Sequence, residues 1–447
     1  MLDTIKLAVP LRIAALTVVA LLVSACDGGR SVPPKTSVRV VHAAPTVAPV
    51  VFRRVQANAT NLDYKGSATF SFDVDTYTFN FEITAPDGSV TETVSFQATL
   101  ADGVSSTIVL RELNGQPSPR VVEAPASGSG TGTNLQMLHS ATSLIPLAGV
   151  DVFIELQDFD LTTATPWGTI AYDEVLPQRE LTNGTYEIAV TEAGVRTNVL
   201  LRTEPFALTN APDLTLVLID GADEGLAPVS IMIADGGNTE LVDRDLESGI
   251  RVLNAVNDRS AIDAGIDNEL SPPIITNVAF ATASPFALIP AGDHDLNVTP
   301  AMNPGVIETD AAFTAARGTL STWLVTGNPG DLEATPLTEN LRVIAGESRL
   351  SLFNGGLLNA NVEIFIAAPG ANLADLSPLA RLPAQTGAVA QRIAPGDYEL
   401  TVRDPSTLAM LAGPQALTIG TDGYYGILLN DAAGGSTVDV SLLFDFN

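Results

Sequence analysis

The sequence has almost no cysteine. Its one cysteine, Cys26, lies near the N-terminus, ahead of every segment that has the pattern of a folded domain. With no second thiol, the chain forms no internal disulfide and offers no cysteine-based zinc site. The stability of the folded part must therefore come from packing and hydrogen bonding.

Basic residues are also scarce. The chain has 22 lysines and arginines against 51 aspartates and glutamates, a formal net charge of −29. Because so acidic a surface repels phosphate backbones, the composition predicts no nucleic-acid partner. The sequence contains neither a G-x-x-x-x-G-K-[ST] loop nor a G-x-S-x-G elbow, which argues against nucleotide hydrolysis and against that type of serine hydrolase.

Composition predicts the fold class. The chain is 46% hydrophobic and 16% charged, with 36 glycines and 29 prolines. This balance favours many short strands joined by tight turns over long amphipathic helices, so we expect an all-β protein. A length of 447 residues allows about three or four domains of roughly 100 to 150 residues each.

One strand pattern opens the folded part and recurs along the chain. It first reads Val38-Arg39-Val40-Val41-His42-Ala43-Ala44-Pro45. Each copy has apolar residues at alternate positions and ends in a small or turn-forming residue, which predicts a half-buried strand that enters a loop. The spacing of roughly one hundred residues is that of a whole sandwich domain. The copies reach their strand ends at His42, His139, Asn254 and Asn354.

Two further elements follow each opening strand. The first is a turn followed by an alternating strand, as in Asn183-Gly184-Thr185-Tyr186, where both turn residues tolerate positive φ. The second is an apolar strand about thirty residues later. The equivalent hairpin residues are Tyr77, Tyr186, His294 and Tyr398, and the later strands are centred on Ile108, Leu216, Leu324 and Leu428.

These aromatic and histidine side chains have a structural and a functional interpretation. A hairpin tyrosine packed on the sandwich is favoured over a platform that stacks carbohydrate. A histidine at a strand end, such as His42 or His139, is favoured as a brace for the following loop over a metal ligand or a catalytic base. We therefore predict no catalytic residue and no enzymatic activity.

Taken together, the repeats predict tandem antiparallel β-sandwich (immunoglobulin-like) domains, arranged like beads on a string. The glycine- and serine-rich stretch 125–132 has the composition of a flexible linker. The boundaries near Asp245 and Gly346 are less marked, and packing of the domains against each other there is the alternative. The predicted segments are a signal peptide at 1–25, a tether at 26–36, sandwiches at 37–124, 133–246, 247–345 and 346–447, and the linker at 125–132.

The N-terminus has the order of a secretory signal. Lys6 and Arg12 precede a short apolar run, and small residues follow it. The stretch Val23-Ser24-Ala25-Cys26 resembles the lipobox of bacterial lipoproteins, which implies cleavage before Cys26 and lipid attachment to it. The alternative is an ordinary signal peptide with an incidental cysteine. Because the apolar run is too short to span a membrane, the lipid would be the anchor in the bacterial cell envelope, in a periplasmic or outer-surface leaflet that the sequence leaves undetermined.

Paired carboxylates are the candidates for a metal site. On a strand, residues i and i+2 lie on the same face, so such pairs are weak candidates to bind Ca²⁺ together with loop carbonyls. None continues into the spacing of an EF-hand, and solvated turns are the alternative. No other cofactor is predicted. The paired carboxylates are Asp73 with Asp75, Asp158 with Asp160, and Asp243 with Asp245, and the first and third pairs are retained as the calcium candidates.

The opening strand at Val38 to Pro45, with the hairpins at Gly184 to Tyr186 and Pro395 to Tyr398, resembles the bacterial domain-of-unknown-function 4397 family over residues 37–447. Members commonly open with a Val-Arg-Val-Val-His-Ala-Ser-Pro type strand, although asparagine replaces the histidine in the third and fourth copies here. The resemblance implies a β-rich, exported or lipid-anchored protein without assigned chemistry.

The expected function is a non-catalytic binding, adhesion or spacing module. Its partners would be the membrane, through the N-terminal lipid, and an unknown envelope protein or glycan. The alternatives are an envelope hydrolase that acts on polysaccharide through carboxylates in one diverged repeat, and a Ca²⁺-stabilised adhesin.

Overall fold

The structure, a computed structural model, describes residues 34–54, 57–125, 132–209, 213–222, 225–358, 361–432 and 437–443. Within these ranges the strands form eight sheets, which belong in pairs to four β-sandwiches, and there is no α-helix. The predicted all-β fold of four tandem immunoglobulin-like sandwiches is confirmed. The described part of the chain also contains no helix long and apolar enough to cross a membrane.

The first two sandwiches occupy the N-terminal half. The first has sheets ordered β4-β1-β7-β8 and β3-β2-β5-β6, and the second has sheets ordered β12-β9-β16-β17-β18 and β11-β10-β13-β14, with β15 also paired to β13. The strands are β1 (Lys35–His42), β2 (Val50–Arg54), β3 (Ala57–Leu62), β4 (Ser67–Asp73), β5 (Thr76–Thr84), β6 (Val90–Thr99), β7 (Val104–Leu113), β8 (Gln116–Pro125), β9 (Gly132–His139), β10 (Val150–Leu156), β11 (Gly168–Ile170), β12 (Val175–Thr182), β13 (Gly184–Glu192), β14 (Val195–Arg202), β15 (Phe206–Leu208), β16 (Asp213–Asp220), β17 (Val229–Ile233) and β18 (Thr239–Leu241).

The third and fourth sandwiches repeat the arrangement of the first. The third has sheets ordered β22-β19-β25-β26 and β21-β20-β23-β24, and the fourth has β30-β27-β33-β34 and β29-β28-β31-β32. Short 3₁₀ turns cover Thr142–Leu144 and Leu373–Asp375. The strands are β19 (Ser248–Asn254), β20 (Ala261–Ile266), β21 (Ile275–Ala279), β22 (Ala287–Ile289), β23 (Gly292–Pro300), β24 (Thr309–Ala315), β25 (Leu320–Asn328), β26 (Asp331–Glu339), β27 (Ser348–Asn354), β28 (Asn361–Ala367), β29 (Ala380–Pro383), β30 (Thr386–Ile393), β31 (Gly396–Arg403), β32 (Met410–Ile419), β33 (Tyr424–Asp431) and β34 (Val438–Leu443).

The four opening strands are β1, β9, β19 and β27. Each pairs antiparallel with one neighbour and parallel with the strand predicted about thirty residues after the hairpin, namely β7, β16, β25 and β33. The sheets are therefore antiparallel except for one parallel pairing in each sandwich. A parallel pair needs a long crossover, and here the second sheet of the sandwich provides it.

The predicted central residues of these later strands do not all lie on the same face of the sheet. Ile108 pairs with Val40, two residues before the strand-end histidine, whereas Leu324 pairs with Leu253, one residue before Asn254. Because a shift of one residue changes the face of a strand, Ile108 lies in the core of its own sandwich and Leu324 lies against the neighbouring sandwich.

The opening strands are buried on both faces. In the first sandwich Val40 faces its own core, and Val41 packs instead on Leu138 and Val217 of the second sandwich. In the third, Leu253 packs on Phe353 and Leu428 of the fourth. The prediction of a half-buried strand is therefore wrong. Adjacent apolar residues such as Val40-Val41 are the sequence signal for burial on both faces of a strand.

The sandwiches consequently pack in pairs through their opening sheets, first with second and third with fourth. These two apolar interfaces correct the interpretation as beads on a string. The first joins sandwiches on either side of the predicted linker, and the second lies at the boundary near Gly346, where packing was the alternative. At the second of them the backbone approaches closely, because a Cβ on Gly355 would lie 2.6 Å from the Cβ of Ala255. Apolar burial at about 25 cal/mol per Å² stabilises both pairs.

Candidate functional site

The strand-end residues brace the loop that follows each opening strand. The Nδ1 atom of His42 accepts the amide of Ala44 at 3.3 Å, and its Nε2 lies 3.1 Å from the carbonyl oxygen of Ala48. Asn254 makes the equivalent contacts in the third sandwich. Its Oδ1 accepts the amide of Val256 at 3.0 Å, and its Nδ2 donates to the carbonyl oxygen of Val278 at 2.9 Å. A neutral histidine and an asparagine can each accept one hydrogen bond and donate another from the same side chain, which explains why they exchange between repeats.

Burial keeps these histidines neutral. Burial, reinforced by the positive charge of Arg342, lowers the pKa of His42 to about 3. Burial likewise lowers the pKa of His139 to about 4, and the Nδ1 of that ring accepts the amide of Ala141. Both residues have an exposed fraction of 1% or less, so neither ring is accessible to a substrate in this structure.

The hairpin aromatic residues also bond to backbone. The hydroxyl of Tyr186 donates to the carbonyl of Thr182 at 2.9 Å, and that of Tyr398 donates to Ala394 at 2.8 Å. His294 makes the same contact to Pro290 through Nε2 at 2.9 Å. Each partner lies four residues upstream, as in the tyrosine corner of immunoglobulin-like domains. The hairpin residues therefore act as braces, as the sequence favoured.

The calcium candidates stabilise turns. A carboxylate oxygen of Asp243 accepts the amide of Arg202 at 2.7 Å, and the other accepts the amide of Asp245 at 2.8 Å. In the first sandwich the Asp75 carboxylate accepts the amide of Thr76, and the backbone carbonyl of Asp73 accepts from the Tyr77 hydroxyl. Among the described residues no group of three or more histidine or acidic side chains is arranged to hold a metal. Cys26 lies outside the described residues.

The segment between the third and fourth sandwiches, residues 340–347, attaches to the first sandwich, and we call it the clasp segment. Ile344 is 3% exposed and belongs to the core of the first sandwich. The amide of Ala345 donates to Thr46 at 2.9 Å, and Arg342 Nη1 donates at 3.0 Å to the carbonyls of Pro45 and Val47. The clasp segment thus joins the C-terminal pair of sandwiches to the N-terminal pair.

Other contacts complete the junction of the four sandwiches. The hydroxyl of Tyr64 in the first sandwich donates to the carbonyl of Asp220 in the second at 2.7 Å. The amide of Leu226 donates to Gly318 at 2.7 Å across the second and third sandwiches. Arg392 of the fourth sandwich donates to the carbonyl of Thr84 in the first. Each sandwich therefore contacts the next, and the fourth contacts the first.

Two cavities flank the clasp segment. One cavity, of about 430 Å³, lies between the second, third and fourth sandwiches. Its wall combines apolar and charged side chains, among them Leu226, Phe286, Leu320, Arg342, Glu347 and Arg349. The arginine cavity, of about 550 Å³, lies between the first and fourth sandwiches. Its walls include Asp63, Tyr64, Pro86, Arg342, Arg349, Leu379, Gln391 and Arg392. Both volumes are in the range of small-ligand sites, roughly 300–1,000 Å³.

A buried polar network lies at the interface of the third and fourth sandwiches. Glu339, 2% exposed, is 3.2 Å from Arg251 Nη2 and accepts from the Thr322 hydroxyl at 2.6 Å. The Tyr424 hydroxyl of the fourth sandwich also donates to Glu339. Burial, together with the Glu339 charge, raises the pKa of Tyr424 well above its usual value, so this hydroxyl stays a donor.

The clasp segment is not predicted by the sequence. Residues 340–347 fall partly in the third and partly in the fourth predicted sandwich, and no role is predicted for Arg342 or Ile344. One signal was present, because Val343-Ile344 is an apolar pair between two strands with no place in the alternation of either. The partner of that pair, about three hundred residues away, is not visible in local pattern.

Comparison with known proteins gives one family match. Residues 248–365 match the model of the family described as domain of unknown function DUF4397. No curated protein matches the chain. The match begins at the first residue of β19 and ends within β28.

Several solved structures are similar to the chain at low identity. The Bacillus anthracis TIE protein is 11% identical, over 86% of this chain and 67% of that chain, with a TM-score of 0.16. A streptococcal ancillary pilin is 10% identical, over 66% and 99%, with a TM-score of 0.14. The family 26 carbohydrate-binding module of Eubacterium rectale Amy13K, solved with maltoheptaose, is 8% identical, over 44% and 96%, with a TM-score of 0.17.

With TM-scores this low, the three likenesses decide nothing about the function of this chain. The family match covers the third copies of the opening strand and of the hairpin, β19 and the turn at Gly292. The segments on which the sequence resemblance was based, Val38 to Pro45, Gly184 to Tyr186 and Pro395 to Tyr398, lie outside the matched residues. Residues 248–365 are similar to the DUF4397 family.

Proposed function

We propose that the protein is a non-catalytic module of the bacterial cell envelope, anchored by a lipid on Cys26, that holds partner-binding loops in a fixed arrangement. The observation that carries this proposal is the attachment of the clasp segment to the first sandwich, with Ile344 in its core. A chain of separate beads would let each sandwich reorient, whereas a closed set of contacts fixes the loops relative to one another.

The candidate reactive groups support a non-catalytic role. The imidazoles of His42 and His139 are buried and bonded to backbone. His294 bonds to Asp267 and to the Pro290 carbonyl, in the position that tyrosine takes in the other repeats. A general base needs to reach the proton that it abstracts, and these side chains are already used to hold loops and hairpins.

The partner-facing surface would be the loops at the ends of the third and fourth sandwiches. Met302, between β23 and β24, is 93% exposed, and Leu408, in the equivalent loop between β31 and β32, is 63% exposed. Leu358 follows β27 and is 68% exposed. Exposed apolar side chains on loops held by a rigid scaffold are suited to contact an envelope protein or a glycan.

The proposal separates from the hydrolase alternative in one assay. Purified protein lacking the signal peptide is incubated with isolated envelope polysaccharide, and the sedimented protein and the newly formed reducing ends are both measured. For a glycan partner, the proposal predicts that the protein sediments with the polysaccharide and that no new reducing ends form. For a protein partner, it predicts no co-sedimentation and no new reducing ends. New reducing ends that increase with time would establish the hydrolase instead.

The anchor is tested by Cys26→Ser. Because the described chain contains no membrane-spanning helix and the lipid is proposed as the attachment, the variant should fold normally and appear in the soluble fraction. Wild-type protein, processed in the same cells, is the control and should sediment with membranes. A variant that still sediments with membranes would show that Cys26 is not the attachment point.

A further inference from the structure

The arginine cavity differs in charge from the rest of the molecule. The described residues of its wall include three arginines, Arg342, Arg349 and Arg392, and one acidic residue, Asp63. The chain as a whole has 22 basic and 51 acidic residues. A concave site of one sign, with low-dielectric walls, focuses its field and attracts ions of the opposite sign. The cavity is thus a positive site in an acidic protein.

The three arginines come from separate elements, and backbone carbonyls accept hydrogen bonds from Arg342 and Arg349. Arg342 donates to two backbone carbonyls of the first sandwich at 3.0 Å. Arg349 in β27 donates through Nε to the carbonyl of Arg342 at 2.5 Å and through Nη1 to that of Ala390 at 3.2 Å. A carbonyl acceptor fixes a guanidinium without cancelling its charge.

Arg392 has a carboxylate partner, Glu347. Its Nε and Nη2 lie 2.8 and 2.7 Å from the two carboxylate oxygens of Glu347. Its Nη1 makes no hydrogen bond to the residues that the structure describes. A guanidinium held by two of its nitrogens is already oriented, so a third nitrogen can bond a ligand at little entropic cost.

We propose that the arginine cavity binds a small anionic ligand that carries carboxylate or phosphate groups. Guanidinium groups recognise both oxyanions through paired hydrogen bonds. The Gln391 side chain, also in the wall, donates from Nε2 to the Val389 carbonyl at 3.0 Å, and its amide oxygen is an acceptor for neutral hydroxyls of the same ligand. An acidic sugar and a phosphate compound share this chemistry and are the two sources to be distinguished.

This inference goes beyond the proposed function and does not depend on it. The ligand would bridge the first and fourth sandwiches at the junction, whereas the proposed partner surface lies on loops of the third and fourth sandwiches. A protein released from the membrane, or one that fails to bind polysaccharide, would still bind the anion.

The experiment is calorimetric titration of protein lacking the signal peptide, in low-salt buffer free of phosphate. The probes are inorganic phosphate and digalacturonate, with maltose as the neutral control. Binding of phosphate alone assigns the site to a phosphate compound, and binding of digalacturonate alone assigns it to an acidic sugar. Added salt should weaken either interaction, because it screens charge.

Two cavity variants and two matched controls place the site. Arg392→Gln removes a donor, and Leu379→Glu introduces a carboxylate on the cavity wall while all three arginines remain. Each should weaken binding by about tenfold or more, the loss of one charge-assisted contact. Arg381→Gln, an exposed arginine of the same sandwich, and Leu376→Glu, an exposed leucine outside the cavity wall, should leave the affinity nearly unchanged.

The proposal is overturned if neither anion binds at millimolar concentration, or if both cavity variants bind as tightly as wild type. Leu379→Glu protects the test from a folding artefact, because Leu379 is 36% exposed and its replacement leaves the Arg392–Glu347 pair intact. Circular dichroism of each variant establishes that it is folded before titration.

Discussion

The guanidinium of Arg342 lies over the ring of Tyr64, 4.9 Å from its centre. The two residues are far apart in sequence, one in the clasp segment and the other in the first sandwich. Because the Tyr64 hydroxyl also donates to Asp220, this stack links the first sandwich, the second sandwich and the clasp segment. A desolvated cation over an aromatic ring contributes roughly 0.5–2 kcal/mol, and it adds to the burial of Ile344.

Ile344→Asp should detach the clasp segment. A charged side chain cannot remain in the core of the first sandwich unless it is paired, so the variant loses both the apolar burial and the closure of the junction. We expect about 3 kcal/mol of destabilisation, in the range for loss of a buried aliphatic residue, and a calorimetric transition that splits in two.

Val343→Asp is the matched control for the clasp. Val343 is the preceding residue in the same segment and is 44% exposed. The same charge placed there should change the free energy of unfolding by less than about 0.5 kcal/mol. Equal effects of the two substitutions would mean that Ile344 does not join the clasp segment to the first sandwich.

His42→Asn should reduce the sensitivity of the protein to mild acid. The pKa of His42 is lowered to about 3 in the folded chain and is near 6.5 when unfolded. The unfolded state therefore takes up a proton first as the pH falls, and stability is lost from about pH 6.5 downward, by about 2 kcal/mol at about pH 5. Asparagine keeps the brace, as in the third and fourth sandwiches, and does not titrate there.

The measurement for His42 is the free energy of unfolding in urea at several pH values from about 5 to 7.5. The slope of the unfolding free energy against pH reports how many more protons the unfolded state binds than the folded state. This number should be smaller by nearly one in the variant, whatever the absolute stability of the variant. The converse variant Asn354→His should have a steeper slope. Identical slopes in wild type and His42→Asn would show that this imidazole is not buried in its neutral form.

His294 should have the opposite pH dependence. Its hydrogen bond to Asp267 raises the pKa of the imidazole, so the stability that it contributes is complete below its ordinary value near 6.5 and is lost as the pH rises through the raised one. His294→Tyr should retain the contact to Pro290, as tyrosine does in the other repeats, and remove this loss on the alkaline side. The free energy of unfolding in urea at about pH 6 and 8.5 measures this loss of stability. If the loss persists in the variant, a group other than His294 is responsible for it.

How much of this architecture follows from the sequence is clear from particular elements. The opening strands and the hairpin residues recur with a spacing that local pattern reveals, and the bracing roles of His42 and Tyr186 follow from their place at strand ends and turns. The packing of Val41 on the second sandwich and of Ile344 on the first depends on contacts between distant segments. Alternation of apolar residues shows that one face of a strand is apolar, but it does not show which part of the chain covers that face.

The same limit applies to the candidate site. Arg342, Arg349 and Arg392 share no motif and come together only because the clasp segment passes between the first and fourth sandwiches. Conversely, the paired aspartates stood out in the sequence although each of Asp75 and Asp243 is engaged in its own turn. Acidic pairs are frequent in so acidic a chain, and proximity in sequence is a weak sign of a metal site.

Glu339→Ala should be strongly destabilising. It removes a carboxylate that pairs with Arg251, which is 2% exposed, and the removal of one partner of a buried ion pair costs about 3–5 kcal/mol. Glu333→Ala, on the exposed face of the same strand β26, is the control and should change the free energy of unfolding little. The double variant Glu339→Leu with Arg251→Met should recover much of the loss in urea unfolding. A mild effect of Glu339→Ala would show that water reaches this network.

Small-angle X-ray scattering of the protein without its signal peptide and lipid tests the central claim, that the four sandwiches form one closed body. A compact chain of this length has a radius of gyration of about 22 Å, and four sandwiches in a line would have roughly twice that value. We expect wild type and Val343→Asp to be near the compact value and Ile344→Asp to be clearly larger. An extended wild-type particle, unchanged by Ile344→Asp, would contradict the account.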